Sequence, residues 1–99
     1  MFKGIKYVTK GITEAIPEFL QNFLWYTIEI MEVKEKDYLQ VFELCEITQD
    51  GVKKQKIIHF QEKPEFKEEF IITAKDTINA KIYIIDCGNY SIMLLASEY

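Results

Sequence analysis

This sequence of 99 residues holds one histidine, so any general-base, triad or imidazole-metal chemistry must be built around His59. Glu43 and Cys45 fall on the preceding expected strand, and a Cys45–His59–Glu43 group would supply a thiol nucleophile, its base and an orienter. Thiolate chemistry needs an electropositive, partly open setting, commonly a helix N-terminus, and a mid-strand cysteine beside two glutamates has neither. His59 and Glu43 are therefore a weak candidate polar site, and His59 is expected to be a surface or hydrogen-bonded structural residue. Neither His59 and Glu43 nor Cys45 and Cys87 show the helical His pair, paired-Cys motif or carboxylate-rich loop of a metal site. Glu62, Glu65, Glu68 and Glu69 gather around Pro64; two of them in a cleft would make an acid and a base, but a charged, solvated connection is the expected reading. Four glycines, none in a phosphate-cradling spacing, give a nucleotide no support. No catalytic residue, metal or cofactor is expected.

A second kind of candidate is Trp25. On a helical projection it falls among Glu18, Gln21, Asn22, Glu29 and Glu32, on the polar side of an otherwise well-sorted helix. It either folds back under the N-terminal strand or the chain end, or stands partly exposed as a binding hot spot. Trp25, with Gln21 and Glu29, is the candidate partner-binding set.

Charge narrows the partners. Twelve basic and sixteen acidic residues give a net charge of −4, which opposes a non-specific grip on phosphates and makes nucleic-acid binding unlikely. Lys53, Lys54 and Lys56 form the best basic cluster, close to Asp50 and several glutamates. An acidic DNA mimic would need a denser anionic surface. No apolar run approaches the ~20 residues that span a bilayer and the N-terminus lacks a signal-like apolar core, so a cytoplasmic protein with no membrane contact is expected. Cys45 and Cys87 should then remain thiols, packed as small hydrophobes.

The elements follow from periodicity. A short strand is expected at 5–9, and a helix at about 17–34 opened by Pro17. Ile16, Phe19, Leu20, Phe23, Leu24, Tyr26, Ile28, Ile30, Met31 and Val33 cover an arc of roughly 220°, wide enough to touch more than one surface. Strands are expected at 38–47, 55–62, 66–73, 81–87 and 90–95, the last two joined by a tight Gly88-Asn89 turn. The fold class is α+β: a single domain, 1–99, with an antiparallel sheet of about five strands and one amphipathic helix packed on one face. In the first hairpin, placing Phe42 and Leu44 on the same face as Ile58 and Phe60 requires an odd loop, read as three residues with a bulge at Gly51. The expected core is Phe23, Ile30, Phe42, Leu44, Ile58, Phe60, Phe70, Ile84 and Leu94. Because the last hairpin is apolar on both parities, one helix cannot cover it, and a homodimer is the expected remedy.

Five motifs carry a family resemblance: Tyr7 to Ile12, Ile16-Pro17 to Leu24-Trp25, Asp37 to Leu44, His59 to Phe66, and Ile85-Asp86 to Met93-Leu94-Leu95. Through them the chain resembles the domain of unknown function 960 family, small proteins of low-GC Gram-positive bacteria and their mobile elements. The resemblance spans nearly the whole chain and implies a bacterial, cytoplasmic protein associated with a phage or plasmid. It brings no catalytic or ligand residues. The expected function is a non-enzymatic interaction module that binds protein partners or itself, ahead of a ligand or enzymatic site around His59 and a nucleic-acid-linked role.

Overall fold

In the computed structural model, which describes Met1–Tyr99, the chain runs β1 (Ile5–Val8), α1 (Lys10–Ala15), α2 (Glu18–Ile30), β2 (Leu39–Gln49), β3 (Val52–Gln61), β4 (Phe66–Ile72), β5 (Ala80–Asp86) and β6 (Tyr90–Leu95). It ends in a 3-10 turn at Ala96–Glu98. The strands form one sheet in the order β1-β6-β5-β2-β3-β4. Neighbours are antiparallel except β1, which pairs in parallel with β6. The α+β class holds, but the sheet is mixed and six-stranded, and a short helix precedes the expected one. Local hairpins account for three of the five pairings; β2–β5 closes around the β3–β4 excursion and β1–β6 joins the two ends of the chain, and no turn motif announces either.

Local chemistry sets the helix limits. The Thr9 hydroxyl accepts the Ile12 N–H at 3.2 Å and caps α1. Pro17 caps α2 without needing an N–H of its own. That helix ends at Ile30, short of the expected 34, because Met31 turns to an extended conformation and drives its side chain into the core. The wide apolar arc is accordingly split. Leu20, Leu24, Thr27 and Ile28 are buried, whereas Phe19, Tyr26 and Ile30 are 51, 52 and 43% exposed, which removes Ile30 from the core.

The buried stripe of α2 packs on one face of the sheet, against Phe42, Leu44, Ile57, Ile82, Ile84 and Met93. The first hairpin departs from the expected register. Gln49 pairs with Val52, leaving a two-residue loop in which Asp50 and Gly51 take φ of 52° and 79°, the mirror-image turn whose twist suits a hairpin. An even loop inverts the parity of β3: Ile57 and His59 lie beside Leu44 and Phe42, and Ile58 and Phe60 face the other way. Of the remaining expected core, Phe42, Leu44 and Ile84 are buried beneath α2, Leu94 is buried on the opposite face, and Phe23 and Phe70 are half-buried edge-to-face at 5.3 Å. The Gly88-Asn89 turn forms between Cys87 and Tyr90, with Gly88 at φ 93°.

Candidate functional site

His59 is fully buried, stacked on Phe42 with ring centroids 4.4 Å apart and edge-on to Phe66 at 5.8 Å. Its Nε2 lies 2.7 Å from Gln40 Oε1. The Gln40 amide nitrogen donates to Gln61 Oε1 at 2.7 Å and to the Asp37 carbonyl at 2.9 Å, which leaves Gln40 Oε1 as the acceptor and makes His59 Nε2 the donor. Gln61 in turn donates to the carbonyls of Glu35 and Pro64. His59 Nδ1 and one carboxylate oxygen of Glu68, its register neighbour on β4, are buried without a partner. Burial lowers the His59 pKa from 6.5 to about 4, so the ring is neutral near pH 7.

The structure does not bring the other candidate groups to this histidine. Glu43 and Cys45 pair with Ile58 and Lys56, on the opposite face of the sheet, so neither the Cys45–His59–Glu43 group nor a His59–Glu43 contact assembles. Parity is the cause: in register, His59 lies opposite Phe42, which points away from both. Cys45 is half-buried and Cys87 is exposed in its turn, which corrects the buried reading of the latter. Glu62 and Glu65 line a shallow cleft of about 430 Å³ with Glu43, whereas Glu68 points to the helix-covered face. In the basic cluster, Lys53 stands 4.0 Å from Glu46 and Lys56 3.7 Å from Glu69, which breaks up its positive field.

Trp25, Gln21 and Glu29 do share a surface. Trp25 is half-buried: one side packs against the core, and the rest borders two clefts between α2 and β1. Gln21 lines one, of about 660 Å³, and Glu29 the other, of about 280 Å³. The Lys6 ammonium stands 5.8 Å from the centroid of the Trp25 ring. Trp25 is thus packed on one side and borders open space on the other.

Register exposes a larger feature that residue-by-residue reading missed. On the face away from α2, one cross-strand row runs Tyr7–Ile92–Ile85–Leu39 and the next Leu94–Tyr83–Val41–Phe60. No charge interrupts either row. Lys67 ends the second, and the following row, Lys81–Glu43–Ile58–Glu69, mixes signs. The apolar character of the last hairpin on both parities was the available signal.

The family model for staphylococcal proteins of unknown function (DUF960) matches residues 5–98. The chain belongs to the DUF960 family. A crystal structure of a protein of unknown function from Enterococcus faecalis superposes with a TM-score of 0.78 at 20% identity, covering 100% of this chain and 98% of that one. At that identity the likeness shows a shared fold and nothing of activity. No curated protein matches the sequence. No helix is long and apolar enough to cross a membrane.

Proposed function

We propose that this protein is a non-enzymatic interaction module that pairs with a second copy of itself through the uncovered face of its sheet. One observation carries the reading: the two adjacent apolar rows from Tyr7 to Leu39 and from Leu94 to Phe60, where an antiparallel sheet with a wet face ordinarily alternates to polar residues. Contiguous apolar surface rimmed by polar side chains is characteristic of association sites.

Size and charge agree with a like partner. The two apolar rows, five strands wide at about 4.8 Å each and about 14 Å along the strands, have a flat footprint of roughly 300 Å²; the charged row beside them brings the face to roughly 500 Å², which side-chain relief brings toward the ~800 Å² per partner of a standard stable interface. The rim carries both signs, Lys81, Lys67 and Lys56 against Glu43 and Glu69, so a two-fold arrangement sets opposite charges across the contact. His59 is a supporting residue in this reading, held neutral by burial and engaged with Gln40.

Sedimentation at micromolar concentration tests it. The expected mass is near twice 11.7 kDa. Ile85→Glu places a charge in the middle of the first row and is expected to return the mass to one copy with the circular dichroism unchanged. A single-copy mass for the unaltered protein throughout the range would overturn self-pairing.

A further inference from the structure

An open sheet has two edge strands, each presenting a row of backbone N–H and C=O groups to any chain that can pair with them. Here they are treated differently. β4 is guarded by Lys67, Glu68 and Glu69 along its middle and by Pro64 just before it, the usual devices against strand addition. β1 reads Ile5-Lys6-Tyr7-Val8, with one charge, and all four residues are exposed. Its inner side is bonded to β6, and no hydrogen bond from a helix, loop or side chain reaches its outer side.

Beside that open edge lies the groove containing Trp25. The groove runs the length of β1, because the start of α2 lies by Val8 and its end lies by Phe2 and Lys3. Charge divides along it. Glu14 and Glu18 flank the Val8 end, while Lys3 and Lys36 flank the other, where Glu29 is the one acid.

We propose that an extended segment of a partner protein adds to the outer edge of β1 as a seventh strand, with alternate side chains lodged against Trp25. Antiparallel pairing is the more stable per residue, so the segment runs against β1, its N-terminal end beside Val8 and its C-terminal end beside Ile5. The groove charges then specify a basic residue at the N-terminal end, facing Glu14 and Glu18, and an acidic one at the C-terminal end, facing Lys3 and Lys36. Between them, alternate positions continue the face of Lys6 and Val8 and enter the groove, which favours small β-branched side chains. This surface is separate from the self-pairing face, and the two stand or fall independently.

The test uses the intact chain and the capped peptide Lys-Thr-Val-Thr-Val-Thr-Glu, followed by Trp25 emission and by amide shifts. The expected result is saturable binding with shifts concentrated at Ile5–Val8 and α2. The reversed peptide, equal in composition and net charge, should bind about tenfold more weakly, and so should whichever of two alternately N-methylated copies blocks the N–H groups facing β1. Glu18→Lys, on the exposed surface, should weaken the forward peptide while leaving the melting temperature in place. The proposal is overturned if no peptide binds at millimolar concentration, if the reversed and both methylated forms bind as well as the first, or if shifts fall outside β1 and α2. Protection of the outward-facing amides of β1, those not bonded to β6, in concentrated protein without peptide would also overturn it, since a second copy would then hold the edge.

Discussion

Beneath its helices and loops the sheet buries Gln40, Gln55, His59 and Gln61, whereas the bare face presents Leu39, Phe60, Tyr83, Ile85 and Ile92. The covered side is thus the more polar at its ends, and the reason lies in what covers it. A helix has used its own backbone groups, so the strip under α2 is apolar: Phe42, Leu44, Ile57, Ile82, Ile84. Loops still have groups to offer. Gln40 and Gln61 reach the backbone of Glu35, Asp37 and Pro64, and Gln55 exchanges bonds with Ile78. Burial beneath a loop thus selects side chains that can satisfy it, while the other face keeps an apolar surface that no helix covers.

The sharpest test of that contrast is one truncation made twice. Phe42→Ala, beneath α2, should cost about 3–5 kcal/mol, because the close-packed core cannot collapse around the hole. Phe60→Ala removes the same ring from a half-buried position on the bare face and should cost about 1–2 kcal/mol in dilute protein. Chemical denaturation of both variants decides. Equal losses would mean that the two faces are equally enclosed.

How much of this was legible turns on one loop. Patterns within single elements read correctly: the Pro17 helix start, the tight turn at Gly88, and the places of β2 to β6. What periodicity could not settle was the parity of β3, since Ile57, Ile58, His59 and Phe60 place an apolar side chain on either face. The choice fell to the length of the loop at Asp50-Gly51. A bulged three-residue loop put Ile58 and Phe60 in the core and His59 outside it. The actual two-residue turn, with Asp50 accepting a positive φ, reverses all three. The same parity decides the apolar rows, because the two-residue turn moves Phe60 from the core to the face away from α2. The Thr9 cap of α1 is a signal legible in the sequence, whereas the β1–β6 and β2–β5 pairings are non-local and leave no local mark. Trp25 was found as the residue that broke the helix sorting; the open strand beside it needed the sheet order.

The polar end of the covered face gives the next largest effect. His59 has a pKa near 6.5 when unfolded and about 4 when folded, so between those values only the unfolded chain takes the proton. Its contribution to stability is therefore complete above about pH 6.5, falls as pH drops, and is exhausted near pH 4, a loss of roughly 3 kcal/mol. Glu98, held below the usual carboxylate range by the Thr9 hydroxyl and the Leu95 N–H, acts in the same direction, its share lost as pH falls through that lowered value. Denaturation midpoints from pH 7 to 4 should show the first slope, and His59→Leu should flatten it whatever it does to absolute stability. An unchanged slope in that variant would place the titrating group elsewhere.

The smallest effect probes the bare face from its margin. Tyr99, at the chain end, sets its ring edge-on to Tyr83 at 5.3 Å while remaining 69% exposed. It is a light cover at the corner where Leu94 and Tyr83 meet. An aromatic pair of this geometry adds about 0.5–1.5 kcal/mol beyond area, and most of the Tyr99 surface is already in water, so Tyr99→Ala should cost under about 1 kcal/mol in dilute protein. The slope that His59 sets between pH 6.5 and 4 should not move, because no element of its network touches this corner. A loss above about 2 kcal/mol would be a core-sized effect from a terminal residue. The C-terminal turn would then be a lid holding the face closed, and the apolar rows would belong to the core, unavailable for a second copy.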